Sequence, residues 1–154
     1  MQKKILVLLL MLFISSCGYE ATYSKKNTNK YNFSINELNF IGDRKVNLKI
    51  KEKLNNFIQN KKNKNFTLKI SSTSKKNILA KNTAGDATSF QSIIILSVEV
   101  LMNNKFKNNL LIEENFNYNN NSNKFDLKKY ENEIKNNLTE LATDKLIFKL
   151  SNIQ

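Results

Sequence analysis

Phe90-Gln91-Ser92-Ile93-Ile94-Ile95-Leu96-Ser97-Val98-Glu99-Val100-Leu101-Met102 is followed by Asn103-Asn104-Lys105 and a second run from Phe106 to Tyr118. Ile94, Leu96, Val98, Val100 and Met102 share one parity, the period-two signature of a strand with one face on a core. Ile93 and Ile95 make its first half apolar on the other face too, as expected of a strand covered on both sides. A three-residue loop at Asn103-Asn104-Lys105 sets Met102 against Phe106, Val98 against Leu110, Leu96 against Ile112 and Phe90 against Tyr118. A two-residue loop alone would set Val98 against Asn109, so the longer loop is preferred. The hairpin is unusually long for a chain of this size.

Working outward, Tyr31, Phe33 and Ile35 alternate with Asn32, Ser34 and Asn36, a first strand running to about Phe40. Gly42-Asp43 breaks it and offers Asp43 as an N-cap. Val46, Ile50, Leu54, Phe57 and Ile58 then recur at helical spacing. Phe66, Leu68 and Ile70 mark a second strand. The polar stretch Ser71–Ser89 is either a long connection or an extension of the strands beside it, with Gly85-Asp86 as a turn signal. After the polar break Asn119–Asn123, Asn123 and Asp126 resemble a capping box. Leu127, Tyr130, Ile134, Leu138, Leu141, Ala142, Leu146 and Leu150 trace one stripe along a long closing helix. The order β-α-β-β-β-α predicts an α+β fold, with two helices packed on one face of a four-stranded, mostly antiparallel sheet. The domain is expected over residues 31–154.

The N-terminal segment sets compartment. Lys3 and Lys4 precede an apolar run from Ile5 to Ile14, which ends in Ser15-Ser16-Cys17. Such a run is short for a membrane span and lies behind positive charge, the layout of a secretory signal. With Cys17 behind two small residues it resembles the lipobox of bacterial lipoproteins. Residues 1–16 would then be removed, and residues 17–30 would form a lipidated start and tether. The alternative is a buried cysteine ending an uncleaved anchor. The lipoprotein resemblance implies diacylglycerol and N-acyl lipid on Cys17 and no other cofactor. Several acyl chains at one site anchor stably where one does not. Gly18, where an Asp would favour the inner membrane, directs the chain to the outer membrane on its periplasmic side.

Composition narrows the chemistry. The chain has one Cys, no His and three Gly. Ser–His and Cys–His nucleophiles, the usual catalytic metal sites and phosphate-cradling glycine loops are therefore excluded, and no enzyme is expected. Glu113-Glu114 and Glu131/Glu133 do not converge on a substrate and read as solvated surface. Lys3 and Lys4 leave with the signal, so the +12 of the whole chain falls to +10. That surplus calls for a polyanion, although a chain so rich in Lys, Asn, Ile and Phe owes part of it to AT-rich coding. Nucleic acid is the wrong polyanion for the periplasm; acidic lipid or lipopolysaccharide fits better.

The lipobox, Cys17-Gly18-Tyr19 and the β-α-β-β-β-α order now coincide with Thr83-Ala84-Gly85-Asp86, Glu114-Asn115-Phe116-Asn117-Tyr118, Asn137-Leu138-Thr139 and Leu141-Ala142. Together they resemble the LptE family of lipopolysaccharide-assembly lipoproteins, by layout rather than by a sharp motif. The resemblance implies an outer-membrane lipoprotein that sits in the lumen of the large β-barrel LptD, assists its assembly, plugs it, and binds lipopolysaccharide. Family members commonly carry an Arg between the second and third strands. Here Lys75, Lys76 and Lys81 stand there, the candidate contacts for lipopolysaccharide phosphate, without the bidentate grip of a guanidinium. The other reading of these lysines is solvated charge. The other reading of the protein is a free periplasm-facing lipoprotein that binds an amphiphile or cell-wall polymer with no barrel partner.

Overall fold

The computed structural model describes residues 31–58 and 62–153. The signal, Cys17, Gly18 and the tether lie outside the described residues. Within them the chain runs β1 (Phe33–Gly42), α1 (Arg44–Leu54), a single 3₁₀ turn (Asn55–Phe57), β2 (Lys64–Lys81), β3 (Ala87–Met102), β4 (Lys105–Asn119) and α2 (Lys124–Ser151). The strands lie side by side in chain order. β1 and β2 are parallel, joined across α1, while β2–β3 and β3–β4 are antiparallel hairpins. Both helices cover one face, so the expected α+β architecture is the observed one.

The β3–β4 register is largely as expected. Phe90 faces Tyr118, Leu96 faces Ile112 and Val98 faces Leu110. The turn differs. Asn103 and Asn104 alone make it, at φ 53° and 60°, and Met102 pairs with Lys105 and Leu101 with Phe106. Two successive left-handed residues give the turn twist that hairpins favour, and Asn tolerates that conformation. A bulge between Val100 and Leu101 then inserts one residue on β4, restoring the parity that a three-residue loop would have supplied.

The polar stretch 71–89 takes the second of its two readings. β2 runs on to Lys81 and β3 begins at Ala87, with a tight turn in which the Asp86 N–H donates to Asn82 Oδ1 at 2.8 Å. β1 stops where Gly42 meets Ser72, so beyond that row the sheet has three strands. The chain enters at the near end, beside the Asn103-Asn104 turn and the end of α2. The far end holds the Asn82–Asp86 turn and the start of α2.

The core is one cluster between sheet and helices. Phe33, Ile35, Phe66, Leu68 and Ile70 meet Ile94, Leu96, Val98 and Val100 from the sheet, with Val46, Ile50 and Leu54 of α1 and Leu146 and Leu150 of α2 above. Phe33 and Phe57 stack at 4.8 Å, fastening the 3₁₀ turn to β1. Asp43 caps α1 by accepting from the Lys45 and Val46 N–H groups, and Asn123 caps α2 through Phe125 and Asp126.

Three expectations need correction. No described residue forms a layer over the outer face of the sheet, so β3 is covered on one side only. Ile93 and Ile95 are half-buried there by their neighbours Lys75, Thr73, Glu113 and Asn115. The stripe of α2 is rotated as well: Tyr130 and Leu141 are exposed, while Thr139 and Thr143 are buried. Their hydroxyls donate to the carbonyls of Lys135 and Thr139 at 2.7 Å, which satisfies them without water. They lie along the ridge that begins at Lys135, whose ammonium meets Asp43 at the head of α1. Ile58, assigned to the first helix stripe, follows the 3₁₀ turn and is exposed.

Candidate functional site

Two of the carboxylates read as solvated are not. Glu114 has inner-face parity, opposite Ile94, and its side chain is 13% exposed with Lys145 of α2 at 2.5 Å. An inward charge of this kind on an edge strand discourages pairing with another chain. Glu131 meets Lys76 at 2.6 Å and accepts from the Tyr118 hydroxyl at 3.0 Å. Glu113 and Glu133 are exposed.

Those contacts decide what becomes of the three candidate lysines. All three lie on β2 rather than in a loop, because the strand continues past the edge of the core. Alternation then separates them. Lys75 lies on the outer face beside Ile93, and Lys76 on the inner face beside Ser92 and Phe116. Lys81 ends the strand at the far turn, opposite Ala87. Lys76 is the engaged one: its ammonium also sits 3.8 Å from the centre of the Phe90 ring. Lys75 and Lys81 are exposed and meet no carboxylate among the described residues.

The engaged lysine belongs to a small network at the head of α2. Phe90 and Tyr118 pack at 5.6 Å, and Tyr130 meets Tyr118 edge-on at 6.1 Å. Burial raises the Tyr118 pKa above its ordinary 10.0, and the Glu131 carboxylate beside it adds to the effect. The phenol therefore stays protonated and serves as a fixed donor.

Around the network the far end is both basic and apolar. Ile78 points inward beyond the reach of α1 and is 53% exposed, and Leu79 occupies a bulge beside it. Phe116 and Tyr130 are exposed nearby, and Phe125 on the first turn of α2 is 76% exposed. Between β4 and α2 runs a polar groove of about 730 Å³, lined by Asn117, Asn119, Asn121, Ser122, Asp126 and Tyr130 among others. Cations, amide groups and uncovered apolar side chains together suit a phosphorylated amphiphile better than a small metabolite. Sequence pattern missed Ile78, Leu79 and Phe125 as members of this end. Their exposure depends on where α1 and α2 begin, which hydropathy does not report. Among the described residues no three Asp, Glu, His or Cys side chains gather to hold a metal, and no helix is long and apolar enough to cross a membrane.

No family model matches the chain, and no curated protein matches its sequence. Solved structures do resemble it. Rare lipoprotein B from Shewanella oneidensis aligns with a TM-score of 0.57 at 18% identity, covering 75% of this chain and 94% of that one. The fold is that of the rare lipoprotein B structures, an LptE-like fold. A minor lipoprotein from Acinetobacter baumannii aligns at 0.60 with 10% identity, over 79% of this chain and 91% of that one. Lipoprotein B from Nitrosomonas europaea aligns at 0.52 with 8% identity, over 75% and 81%. At such identities the likeness is one of fold.

Proposed function

We propose that the protein is a non-enzymatic lipoprotein subunit of an outer-membrane lipopolysaccharide translocon. Cys17 carries its lipid, a large LptD-type β-barrel is its partner, and the domain assists assembly of that barrel and plugs it. The far end of the domain binds lipopolysaccharide on its way to the outer leaflet. The observation that carries this reading is that one end of an LptE-like fold holds both exposed cations, Lys81 at its turn and Lys75 on its outer face, and the uncovered side chains of Ile78, Leu79, Phe116 and Phe125. Lipid A offers phosphates to the first group and acyl chains to the second. The open sheet face, with Thr73, Gln91, Asn115 and Asn117 among its residues, supplies hydrogen-bonding groups of the kind a polar barrel lumen can satisfy.

Binding of labelled lipopolysaccharide to the mature chain tests the ligand half of the proposal. Replacing both free lysines (K75S/K81S) should weaken binding about tenfold at low salt and flatten its salt dependence. Unchanged affinity would remove the far end as the ligand site.

A further inference from the structure

The opposite end of the domain carries a second cationic surface that the translocon reading does not use. β4 begins there with Lys105-Phe106-Lys107, and the last turn of α2 carries Phe148 and Lys149. A groove of about 480 Å³ opens between them, with Lys107 and Lys149 on its walls, Leu110 and Ile153 in its floor, and the Asn108 and Asn152 side chains beside them. Lys105, Lys107 and Lys149 are exposed, and none meets a carboxylate among the described residues. Ion pairs engage Lys53, Lys69, Lys76, Lys135 and Lys145 instead. Of the carboxylates in this half of the sheet, Glu99 is held by Lys69 at 2.9 Å and Glu37 lies on the opposite edge strand. The negative end of α2 is partly answered as well, since the Lys64 ammonium donates to the Ile153 carbonyl at 2.7 Å.

Flanking the groove are two uncovered aromatics, Phe106 at 62% exposed on the outer side of the sheet and Phe148 at 63% on the helical side. Exposed aromatics among free lysines are the composition of a surface that rests on lipid headgroups. The chain enters the fold at this same end. Cys17 precedes Tyr31 by 14 residues, a length that reaches at most about 50 Å.

We infer that the near end is an anionic-phospholipid docking surface, with a lipid phosphate seated between Lys107 and Lys149 and Phe106 and Phe148 entering the headgroup layer. The surface would set the domain end-on to the leaflet that holds its anchor, leaving the far end directed away from it. This orientation rests on the reading of Cys17 as the lipid site; the binding itself does not.

Vesicle flotation of residues 17–154 carrying C17S, which have no acyl chain to hold them, tests it. The expected result is binding to phosphatidylglycerol-rich vesicles, loss of that binding in high salt, and little binding to phosphatidylcholine. K105Q/K107Q/K149Q should weaken partitioning roughly a hundredfold, about fivefold per lysine, and F106S/F148S should weaken it at unchanged charge. K75S/K81S should leave it intact while lowering lipopolysaccharide binding, so failure of one surface is separable from failure of the other. No vesicle binding by the C17S chain, or equal loss from near-end and far-end substitutions, would overturn the inference.

Discussion

Lys76 distinguishes a structural cation from a ligand cation, and Lys76→Met isolates its charge by keeping most of the aliphatic stem. Two interactions go with the ammonium. The pair with Glu131 is partly solvated, at 43% and 27% side-chain exposure, so it contributes about 0.5–1 kcal/mol. The contact with the Phe90 ring at 3.8 Å contributes another 0.5–1 kcal/mol, roughly, at a partly exposed site. Glu131 keeps its Tyr118 hydrogen bond, which limits the penalty of leaving it unpaired. The sum is about 1–2 kcal/mol, or roughly 5 °C in Tm for a domain of this size. Lys75→Met, on the outer face with no ion-pair partner among the described residues, should move stability by no more than about 0.5 kcal/mol. Urea midpoints at unchanged m-value provide the assay, and lipopolysaccharide affinity of the folded K76M variant should stay within about threefold of the parent. Equal midpoints for K76M and K75M, with affinity lost in both, would refute the argument and return Lys76 to the ligand set.

Other outcomes follow from the β1–α1 junction and the Tyr118 network. A Cβ on Gly42 would stand 2.0 Å from the Ser72 carbonyl oxygen at φ +100°, whereas one on Gly85 at φ +89° meets nothing within 4 Å. Gly42→Ala should therefore cost at least about 3 kcal/mol in chemical denaturation and Gly85→Ala only about 1; equal costs would contradict the close approach. Burial works against ionised Asp43, but the hydrogen bond from Lys135, the Val46 and Lys45 N–H groups and the Lys135 charge outweigh it, so its pKa lies below 3.8. Its contribution is present above pH 3.8 and disappears as pH falls through the lower folded value. Asp43→Asn, which retains a good cap, should lower stability at pH 7 by about 1 kcal/mol and flatten the acid limb of a stability–pH curve. The raised pKa of Tyr118 works in the opposite range: its contribution is full below pH 10 and declines above it. Tyr118→Phe should therefore reduce the alkaline slope of the same curve.

The fold was legible wherever apolar residues alternate over a core. The Val98–Leu110 and Leu96–Ile112 pairs could be read directly, because only one register puts apolar against apolar. The two-residue turn could not, since a bulge at Lys107 shifts parity by one and leaves no compositional trace. The extension of β2 to Lys81 was visible only as one of two options. Its residues outrun α1, so nothing selects them for burial, and apart from the contacts of Lys76 with Glu131 and Phe90 it is backbone pairing that holds them in the sheet. Ile93 and Ile95 misled for the converse reason, being apolar residues shaded by neighbouring stems rather than by a second layer. On α2, Thr139 and Thr143 satisfy their own hydroxyls within the helix and so can replace apolar residues at its contact face. At the site, residue type identified Lys75, Lys76 and Lys81 together, whereas strand alternation sends Lys75 and Lys76 to opposite faces. Only the fold reveals Glu131 as the partner that removes one of them.

Membership in a barrel-containing translocon is tested by isolating the acylated protein from detergent-solubilised outer membrane. Stoichiometric recovery of one large β-barrel with bound lipopolysaccharide is expected, and loss of that complex when the barrel is depleted. A lipoprotein recovered alone from membranes with normal barrel levels would contradict it, and would leave a free amphiphile-binding or cell-wall-binding lipoprotein in its place.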